Sequence, residues 1–326
     1  MGDEESKKLF KLRIQYSLFE GKKEKNDIVQ TTEEAKALID MVNRQNGEFV
    51  LFGSGLGARY LIELLDTVCW KCILDNYPQK SEVLNIPTIR YSDFIFSKKD
   101  IIVISSWKYN NEMKAQLIKD GVAPDRIIEA GKLMKALMSR QYFDLPAMIP
   151  EEYEVFLDVG CYDGTSSYYF SKWNKSPCAK IYAFEPDKNN IKKCKNNLDK
   201  TGLTYTLIPK GVWSKKTELR FCSTNTVASM IDECGETIIE TVDLDSLFLQ
   251  EKVTFIKMDI EGAEKEALIG AKNIIQKYHP KLAISIYHKK NDIFEIPHLI
   301  LSYCNNYKFY LRHYTFGEND TILYAI

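Results

Sequence analysis

The sequence predicts an α/β protein that contains two mostly parallel sheets in succession. The first observation is that short apolar runs alternate with helix-like segments, which is typical of parallel strands joined by crossover helices. The second is that this alternation starts twice, near residue 46 and again at Val155. The third is that a strand, a glycine-rich turn and a helix open each half, around residues 51–58 and 156–166. We therefore expect two α/β domains.

The composition is that of a globular protein with no electrostatic preference for a polyanion. Hydrophobic residues make up 45% and charged residues 27% of the 326 residues, which is enough to bury the cores of two domains. Because 44 Lys and Arg nearly balance 45 Asp and Glu, the net charge of −1 gives no reason to expect nucleic acid or an anionic membrane surface as a partner. The sequence leaves the oligomeric state open.

Targeting and cysteine patterns predict a cytoplasmic protein. The apolar runs are far too short to span a bilayer, and the amino-terminal residues lack the apolar region of a secretory signal. The eight cysteines show no metal-ligand spacing apart from Cys69 and Cys72, which lie in a segment predicted as a buried strand. We interpret them as reduced core thiols, which suits a reducing compartment.

Residues 1–45 are predicted to be a polar helical segment, and residues 46–145 a small Rossmann-like domain. In the helical segment, "TTEEAKALIDMV" offers a Thr N-cap followed by acidic residues. The small domain has three clear strand patterns, "EFVLFGS", "KCILDN" and "IIVISS", and we expect three or four strands in all. Pro146 and Pro150 then mark a linker at the start of the last domain, residues 146–326.

The last domain has a longer alternation and additional strands. Its main strands are predicted in "VFLDVG", "KIYAFEP", "YTLIPKGVWS", "VTFIKMDIEG" and "KLAISIYH". "TELRFC" and "TIIETVDL" predict inserted strands, and "NTVASM" at 225–230 predicts a loop between them. The apolar positions of "AEKEALIGAKNIIQKY" predict one helix. The carboxyl-terminal segments predict an antiparallel pair.

Acidic side chains distinguish the turn at 156–166, "FLDVGCYDGTS", from a phosphate-binding turn. Gly160 and Gly164 allow the backbone to come close to a ligand, and the following helix start can hold an anionic group. Asp158 and Asp163, however, would repel a pyrophosphate and attract a cation. S-adenosylmethionine carries a sulfonium, an ammonium and a carboxylate at one end, so it fits this charge pattern better than NAD does.

Glu185 supplies a second indication of an adenosyl ligand. It ends the next strand, 25 residues after Gly160, where an acidic side chain can accept hydrogen bonds from ribose hydroxyls. This spacing fits either a dinucleotide or an adenosyl methyl donor, and the acidic turn favours the latter. In the alternative interpretation, Asp158 caps the turn and Glu185 is a surface acid.

Four separated blocks of the last domain resemble the FkbM-type S-adenosylmethionine-dependent methyltransferases. They are "FLDVGCYDGTSSYYF", "IYAFEPDKNNIKKCKNN", "VTFIKMDIEGAEKEALIGA" and "KLAISIYHKKNDIFEIPHLI", and the resemblance extends over about residues 150 to 326. It implies a class I methyltransferase fold, with a seven-stranded, mostly parallel sheet and an antiparallel last hairpin. It also implies O-methyl transfer to sugar hydroxyls of glycans.

The resemblance also implies which residues hold the methyl donor. Asp158, Gly160 and Gly164 resemble the donor-loop residues of the family, and Glu185 resembles its ribose ligand. The full predicted set adds Cys161, Asp163 and Thr165 of the same turn. The turn departs from the commoner form of the family, which has a small residue and Asn where Cys161, Tyr162 and Asp163 stand.

Methyl transfer to a hydroxyl requires alignment of the reacting atoms and a group that accepts the proton. Asp259 and Glu261 follow the fourth strand of the domain, on one side of it with Lys257 if the strand continues, and His288 ends the fifth. We therefore expect Asp259, Glu261 and His288 to converge above the methyl donor.

Our hypothesis is that His288 or Asp259 accepts the proton and that the carboxylates otherwise orient the acceptor. Two carboxylates and a histidine could equally bind a divalent cation, although no metal site is assigned. In the alternative interpretation, in which these residues have no catalytic role, Glu261 caps the following helix and His288 is a loop residue.

The earlier turn, "FGSGLGARY", leaves three interpretations open. Gly53, Gly55 and Ala58 follow a strand and precede a helix, and Asp75 ends the next strand, which taken alone suggests NAD(P). The segment "ILDNYPQKSEVLNIPTIRYSDF", however, resembles a small Rossmann-like domain of polysaccharide-modifying enzymes and sugar acyltransferases, in which this turn is associated with nucleotide-sugar or substrate binding. Substrate or partner binding, a purely structural module and NAD(P) binding all stay open.

The predicted function is S-adenosylmethionine-dependent O-methylation of a sugar hydroxyl, in bacterial surface polysaccharide or glycan biosynthesis. The expected substrate is a carbohydrate or a nucleotide-sugar. One alternative is an NAD(P)-dependent sugar-modifying oxidoreductase that uses Gly53, Gly55 and Asp75. The other is a non-catalytic binding module on a methyltransferase fold.

Overall fold

The structure is a computed structural model that describes residues 1–222, 230–231 and 235–326. The segment "NTVASM", predicted as a loop, lies outside the described residues except for the backbone of Met230. No helix within the described ranges has the length and apolar character that a membrane crossing requires.

The chain divides into two units. The N-terminal unit comprises residues 18–140 and 313–319, and the C-terminal unit comprises residues 1–17, 141–312 and 320–326. The predicted domain boundaries near residues 45 and 145 stay a prediction.

The N-terminal unit is a six-stranded sheet with helices. Its helices are α2 (Lys22–Val29), α3 (Glu33–Asn43), α4 (Leu56–Leu64), α5 (Asn110–Lys119) and α6 (Ala130–Met138). Its strands are β1 (Glu48–Phe52), β2 (Trp70–Asp75), β3 (Glu82–Val83), β4 (Ile86–Arg90), β5 (Asp100–Ile104) and β6 (Ile127–Ile128). The expectation of three or four strands is therefore wrong, because β3 and β6 are two residues long and too short to show alternation.

The strand order places a crevice at the end of β1. The order in the sheet is β3-β4-β2-β1-β5-β6, and β1 pairs in parallel with β2 on one side and β5 on the other. The chain thus turns to opposite sides of β1, which is the arrangement that opens a crevice beyond the carboxyl ends of the strands. Alternating strand residues form the core, including Val50, Phe52, Leu74, Ile102 and Ile104.

Two details of this unit bear on the sequence predictions. The predicted Thr cap is present, since the Thr32 side chain accepts a hydrogen bond from the Ala35 N–H at the start of α3. Cys72 is buried, but Cys69 is exposed, so the prediction that both are core thiols is wrong for Cys69. Cys69 lies just before β2, where the chain is still outside the sheet.

The C-terminal unit has the predicted class I methyltransferase fold. Its main strands are β7 (Val155–Val159), β8 (Lys180–Phe184), β9 (Thr206–Ile208), β14 (Phe255–Met258), β15 (Lys281–Ser285), β16 (Phe309–His313) and β17 (Thr321–Ala325). They form a seven-stranded sheet in the order β16-β17-β15-β14-β7-β8-β9. β17 is antiparallel to β15, whereas β14, β7 and β8 run parallel to their neighbours.

Helices and a small second sheet complete the unit. The helices are α1 (Glu4–Phe19), α7 (Thr165–Asn174), α8 (Lys188–Leu198), α9 (Leu244–Phe248), α10 (Glu264–Ile269), α11 (Lys272–Tyr278) and α12 (Asp292–Tyr303). The inserted strands are β10 (Gly211–Val212), β11 (Thr217–Cys222), β12 (Met230–Ile231) and β13 (Thr237–Val242), in the order β10-β13-β11-β12.

The helix predicted over "AEKEALIGAKNIIQKY" is two helices, α10 and α11. The break lies at Gly270, where an added Cβ would collide with the Trp213 carbonyl oxygen. This close approach of a neighbouring segment is a tertiary contact, so the apolar period of the sequence did not show it.

Candidate active site

The turn between β7 and α7 requires both of its predicted glycines. Gly160 and Gly164 have φ of +79° and +83°, which side chains rarely adopt. A Cβ at Gly160 would collide with the Asp259 carbonyl oxygen, and a Cβ at Gly164 would lie 2.7 Å from the Leu198 side chain. Gly160 therefore brings the turn directly against the end of β14.

Asp158 is buried beneath this turn and holds it together. Its Oδ2 accepts hydrogen bonds from the hydroxyls of Ser166 and Ser167, each at 2.6 Å, and its Oδ1 lies 3.1 Å from Lys257 Nζ. Lys257 Nζ also donates to the Gly160 carbonyl at 2.6 Å. These contacts match the interpretation in which Asp158 caps the turn.

Lys257, which the sequence placed on the same side as Asp259 without a role, is a further member of the site. Burial by itself lowers the pKa of Lys257, but the Asp158 and Asp259 carboxylates outweigh burial, so the pKa is raised. A buried ammonium therefore lies between the Gly160 turn and the end of β14. The sequence did contain a sign of this role. Lys257 lies within an apolar segment predicted as a buried strand, and a charged side chain buried there needs a partner.

Glu185 lies at the end of β8, where the sequence placed it. It is 6% exposed, and its two carboxylate oxygens accept hydrogen bonds from the N–H groups of Tyr162 (3.0 Å) and Asp187 (2.9 Å). Burial raises the pKa of Glu185 to about 7. Each oxygen keeps a lone pair that a hydroxyl group could occupy.

Gly160 and Glu185 line a cleft with Tyr162, Asp259 and Glu261. The other predicted methyl-donor residues, Asp158, Cys161, Asp163, Gly164 and Thr165, lie outside its lining. Asp163 caps α7 by accepting from the Thr165 N–H at 3.1 Å, and Cys161 is buried with its sulfur 3.6 Å from that of Cys194.

The cleft is narrow. It measures about 70 Å³, which accommodates a few water molecules and is below the roughly 300 Å³ at which ligand sites begin. Binding of an adenosyl compound therefore requires the lining side chains to move apart. The residues present fit such a ligand in kind, through the Gly160 backbone and the Glu185 carboxylate.

The structure brings Asp259, Glu261 and His288 together, as predicted. His288 Nε2 lies 3.5 Å from Asp259 Oδ1 and 3.4 Å from Glu261 Oε2. The route to this arrangement differs from the predicted strand alternation, because β14 ends at Met258. Glu261 instead occupies a left-handed turn, with φ of +55°.

Three further side chains complete the cluster. Tyr142 and Tyr287 donate hydrogen bonds to Asp259 at 2.7 and 3.1 Å, and Glu264 Oε1 lies 2.9 Å from His288 Nδ1. Glu264 is also the residue that caps the turn, since its Oε1 accepts from the Ile260 N–H at 2.8 Å. Tyr287 and Glu264 adjoin predicted residues in sequence, whereas Tyr142 lies 117 residues from Asp259 and gave no signal.

The carboxylates set the charge of His288. Burial alone lowers the pKa of His288, but Glu264, Asp259 and Glu261 raise it to about 9. Burial raises the pKa of Glu261 to about 7, although His288 opposes it. For Asp259, His288 and Lys257 outweigh burial and lower its pKa. At neutral pH the imidazole of His288 is therefore protonated, and the neighbouring carboxylates stabilise its positive charge.

Three side chains of the cluster lie close enough together that they could hold a divalent cation. Asp259, Glu264 and His288 each place one side-chain atom within 4.8 Å of the others. Carboxylate and imidazole groups are common ligands of divalent metals.

Comparisons with known proteins agree with this geometry. Residues 158–314, just under half of the chain, match the family model of the methyltransferase FkbM domain. The 2-O-methyltransferase NoeI of Sinorhizobium fredii is 26% identical over 157 residues, which cover 38% of this chain and 59% of that protein. The chain therefore spans about 59% of the length of this curated relative.

Solved structures agree on the fold. The methyltransferase FkbM from Methylobacillus flagellatus is 19% identical with a TM-score of 0.53, over 90% of this chain and 94% of that chain. Aeropyrum pernix fibrillarin with bound S-adenosyl-L-methionine is 12% identical, over 59% of this chain and 73% of that chain. Its TM-score of 0.37 is too low for this likeness to support an argument. The matching family is one of methyltransferases, which agrees with the predicted methyl donor, S-adenosylmethionine. The resemblance predicted from the sequence is therefore confirmed: residues 158–314 match the methyltransferase FkbM domain, and the chain shares the fold of a solved methyltransferase FkbM.

Proposed function

We propose that the protein is an S-adenosylmethionine-dependent O-methyltransferase that acts on a sugar hydroxyl in polysaccharide or glycan biosynthesis. The observation that carries this proposal is the cluster of Asp259, Glu261 and His288 beside the cleft of Gly160 and Glu185. The name of the relative NoeI, a 2-O-methyltransferase, supports transfer to oxygen.

Glu185 and the Gly160 turn hold the methyl donor in this proposal. S-adenosylmethionine, when bound, supplies an electrophilic methyl group on a sulfonium. The Glu185 carboxylate accepts hydrogen bonds from the ribose hydroxyls, and the absent side chain of Gly160 lets the ligand approach the backbone. The carboxyl groups that line the cleft, those of Glu185, Asp259 and Glu261, favour a positively charged ligand.

We assign acceptance of the acceptor proton to Glu261. Glu261 lines the cleft, and its pKa of about 7 is near the value that suits a general base at neutral pH. His288 is protonated there, so it orients Glu261 and Asp259 and does not accept the proton. Asp259, fixed by two tyrosyl hydroxyls, accepts a hydrogen bond from the sugar hydroxyl and aligns its oxygen.

The acceptor and the location of the protein complete the proposal. A carbohydrate or nucleotide-sugar is supported by the paired carboxylates Asp259 and Glu261, since carboxylates are strong acceptors for hydroxyl groups. The balanced charge of 44 basic and 45 acidic residues supports a protein that acts without nucleic acid. We propose a cytoplasmic location on the cysteine pattern of the sequence.

Transfer of labelled methyl groups from S-adenosylmethionine to a panel of sugars and nucleotide-sugars tests the proposal. Glu261→Gln should lower kcat at least about 100-fold while the affinity for S-adenosylhomocysteine is kept, because only proton acceptance is lost. Glu295→Gln is the matched control, since its carboxylate pairs with Lys265 outside the cleft. Equal activity of Glu261→Gln and Glu295→Gln would refute the assignment.

The pH profile gives an independent measurement. With S-adenosylmethionine saturating, so that titration of Glu185 in the free enzyme does not contribute, kcat should rise as Glu261 loses its proton near pH 7 and fall as His288 loses its proton near pH 9. Glu261→Gln should lack the lower limb. Dialysis against a chelator should leave the profile unchanged, and loss of activity that Mg²⁺ or Mn²⁺ restores would instead support a cation at Asp259, Glu264 and His288.

A further inference from the structure

Lys257 is a charged residue in the interior of the C-terminal unit, and the proposed methyl transfer assigns it no role. It lies on β14, the middle strand of the seven-stranded sheet, and its side chain is 3% exposed. Burying an ammonium group costs free energy unless an opposite charge and hydrogen bonds compensate for the loss of water. The contacts of its Nζ atom therefore indicate what the protein gains from a lysine at this position.

The polar contacts of Nζ that we describe are made to the end of β7 and to the turn that follows it. Nζ lies 3.1 Å from Asp158 Oδ1, and it donates to the carbonyl oxygens of Gly160 at 2.6 Å and Val159 at 3.4 Å. An ammonium group has three N–H donors, which matches these three acceptors. Asp158 supplies the opposite charge, whereas the carbonyl contacts, of which that to Gly160 is the shortest, fix the position of the backbone.

The peptide between Gly160 and Cys161 is held from two sides. Lys257 binds its carbonyl oxygen, and its N–H group, which is that of Cys161, donates to the Phe184 carbonyl at 3.0 Å. The Gly160 N–H donates to the same carbonyl, also at 3.0 Å, directly before Glu185. Because a glycine has access to an unusually wide range of backbone conformations, such contacts are what fix its peptide between β14 and β8.

Lys257 also contacts the residue that holds Asp259. Its Nζ atom lies 5.3 Å from the centroid of the Tyr142 ring, within the range of a cation–π interaction. The Tyr142 hydroxyl in turn donates to Asp259 Oδ2 at 2.7 Å. A single buried ammonium group thus connects the Gly160 turn, which holds the methyl donor in the proposed function, to Asp259, which aligns the acceptor.

A second buried lysine of the same sheet offers a comparison. Lys281 Nζ lies 2.8 Å from Glu154 Oε1 and 3.3 Å from Glu151 Oε1, and the side chains of Lys281 and Glu154 are 10% and 0% exposed. Lys281 begins β15 and Glu154 precedes β7, so this pair lies at the edge of the sheet opposite to the cleft. Both lysines compensate a buried carboxylate, but Lys257 also holds the backbone of a turn that lines the cleft.

We propose that Lys257 is a positioning residue for methyl transfer: its ammonium group fixes the Gly160 peptide, and with it the methyl donor, relative to Asp259. Lys257 lies outside the residues that line the cleft, so it acts through the backbone of the turn. Small displacements between reacting groups lower the rate strongly, which gives a fixed turn its value. The inference rests on the part of the proposed function that places S-adenosylmethionine against the Gly160 turn and Glu185.

Isothermal titration calorimetry of the full chain with S-adenosylhomocysteine tests the proposal. Lys257→Met keeps most of the side-chain length and removes the ammonium group, so it should weaken the affinity at least tenfold. Lys281→Met is the matched control, because it leaves the buried Glu154 carboxylate without its ammonium group in the same way. It should change the affinity less than twofold.

A pair of variants in which residue 158 is uncharged separates positioning from charge compensation. Asp158→Asn removes the buried carboxylate, so in this background Lys257 has no charge left to compensate. Adding Lys257→Met to Asp158→Asn should still weaken the affinity for S-adenosylhomocysteine at least fivefold, because the Gly160 carbonyl loses its donor. If charge compensation were the whole role of Lys257, the second substitution would leave the affinity unchanged.

Three outcomes overturn the proposal: Lys257→Met binds within twofold of the unchanged chain, Lys281→Met weakens binding as much as Lys257→Met does, or Lys257→Met has no effect in the Asp158→Asn background. Circular dichroism establishes that each variant is folded. Should Lys257→Met alone not fold, the two Asp158→Asn variants decide the question, since neither has a buried carboxylate at residue 158 without a partner.

The calorimetry uses no acceptor, so failure of the proposed function is recognised separately. A chain that binds S-adenosylhomocysteine but transfers no methyl group to any sugar of the panel refutes the proposed acceptor, whereas the affinities of the variants decide the role of Lys257. An unchanged chain that does not bind S-adenosylhomocysteine refutes both.

Discussion

The two glycine turns of this chain share a pattern and differ in their chemistry. Each follows a parallel strand and opens a helix, and in each an acidic residue at the end of the next strand accepts a hydrogen bond from the turn: Asp75 from Ser54 N–H, and Glu185 from Tyr162 N–H. The same brace therefore stabilises both turns.

The surroundings differ. The turn at Gly160 is pressed against the end of β14, beside Lys257 and the carboxylates, in a cleft of about 70 Å³. The turn at Gly55 faces a cavity of about 650 Å³ with aromatic walls. The same glycine spacing therefore occurs beside a narrow, charged cleft and beside a wide cavity with aromatic walls, so spacing alone does not determine the chemistry around a turn.

The largest difference in stability between the two turns should appear when a glycine of each turn is replaced by alanine. Gly160→Ala places a side chain at φ of +79° and against the Asp259 carbonyl, so it should lower the free energy of unfolding by about 3 kcal/mol or more. Gly55→Ala should lower it by only about 0.5 to 1 kcal/mol, because the native φ suits alanine but alanine is a poorer N-cap of α4 than glycine. Urea denaturation measures both, and similar effects at the two positions would refute the distinction between the glycines.

The next largest effect should be the change with pH in the contribution of Glu185 to the free energy of unfolding. Its pKa rises to about 7 on folding from an ordinary value of 4.5, so the folded state holds the proton more tightly. Its contribution to stability is therefore full below about pH 4.5 and is lost as the pH rises to about 7, by up to about 3 kcal/mol.

Glu185→Gln tests this prediction, because it removes the titrating group. The free energy of unfolding of the variant, relative to the unchanged chain, should therefore increase between pH 4.5 and 7, whatever the offset that loss of the carboxylate causes at low pH. A difference that stays constant across this range would show that Glu185 titrates normally.

The smallest contrast concerns the serines that brace each turn. Ser167→Ala removes a hydrogen bond to the fully buried Asp158 carboxylate and should lower the free energy of unfolding by about 2 kcal/mol. Ser54→Ala removes the hydroxyl bond to the half-buried Asp75 and should lower it by about 1 kcal/mol. Thermal and urea unfolding measure the two, and an equal or larger effect at Ser54 would contradict the burial argument.

The sequence by itself determined the alternation of strands and helices, the two turns and the edge of the sheet where the site lies. These features follow from local rules. The spacing of apolar residues indicates strands and helices, glycine allows turns with positive φ, and parallel strands meet at their carboxyl ends. They sufficed to place Gly160, Glu185, Asp259 and His288 near one another, and to indicate the methyltransferase family.

Only the tertiary structure decided how the site is charged and which residues complete it. Tyr142 reaches Asp259 across 117 residues, and Lys257 meets Asp158 from another strand, so no local pattern indicated either contact. The protonation of His288 depends on three carboxylates that surround it in space. Pair distances of this kind are set by packing, because electrostatic interactions depend on separation and burial and not on position along the chain.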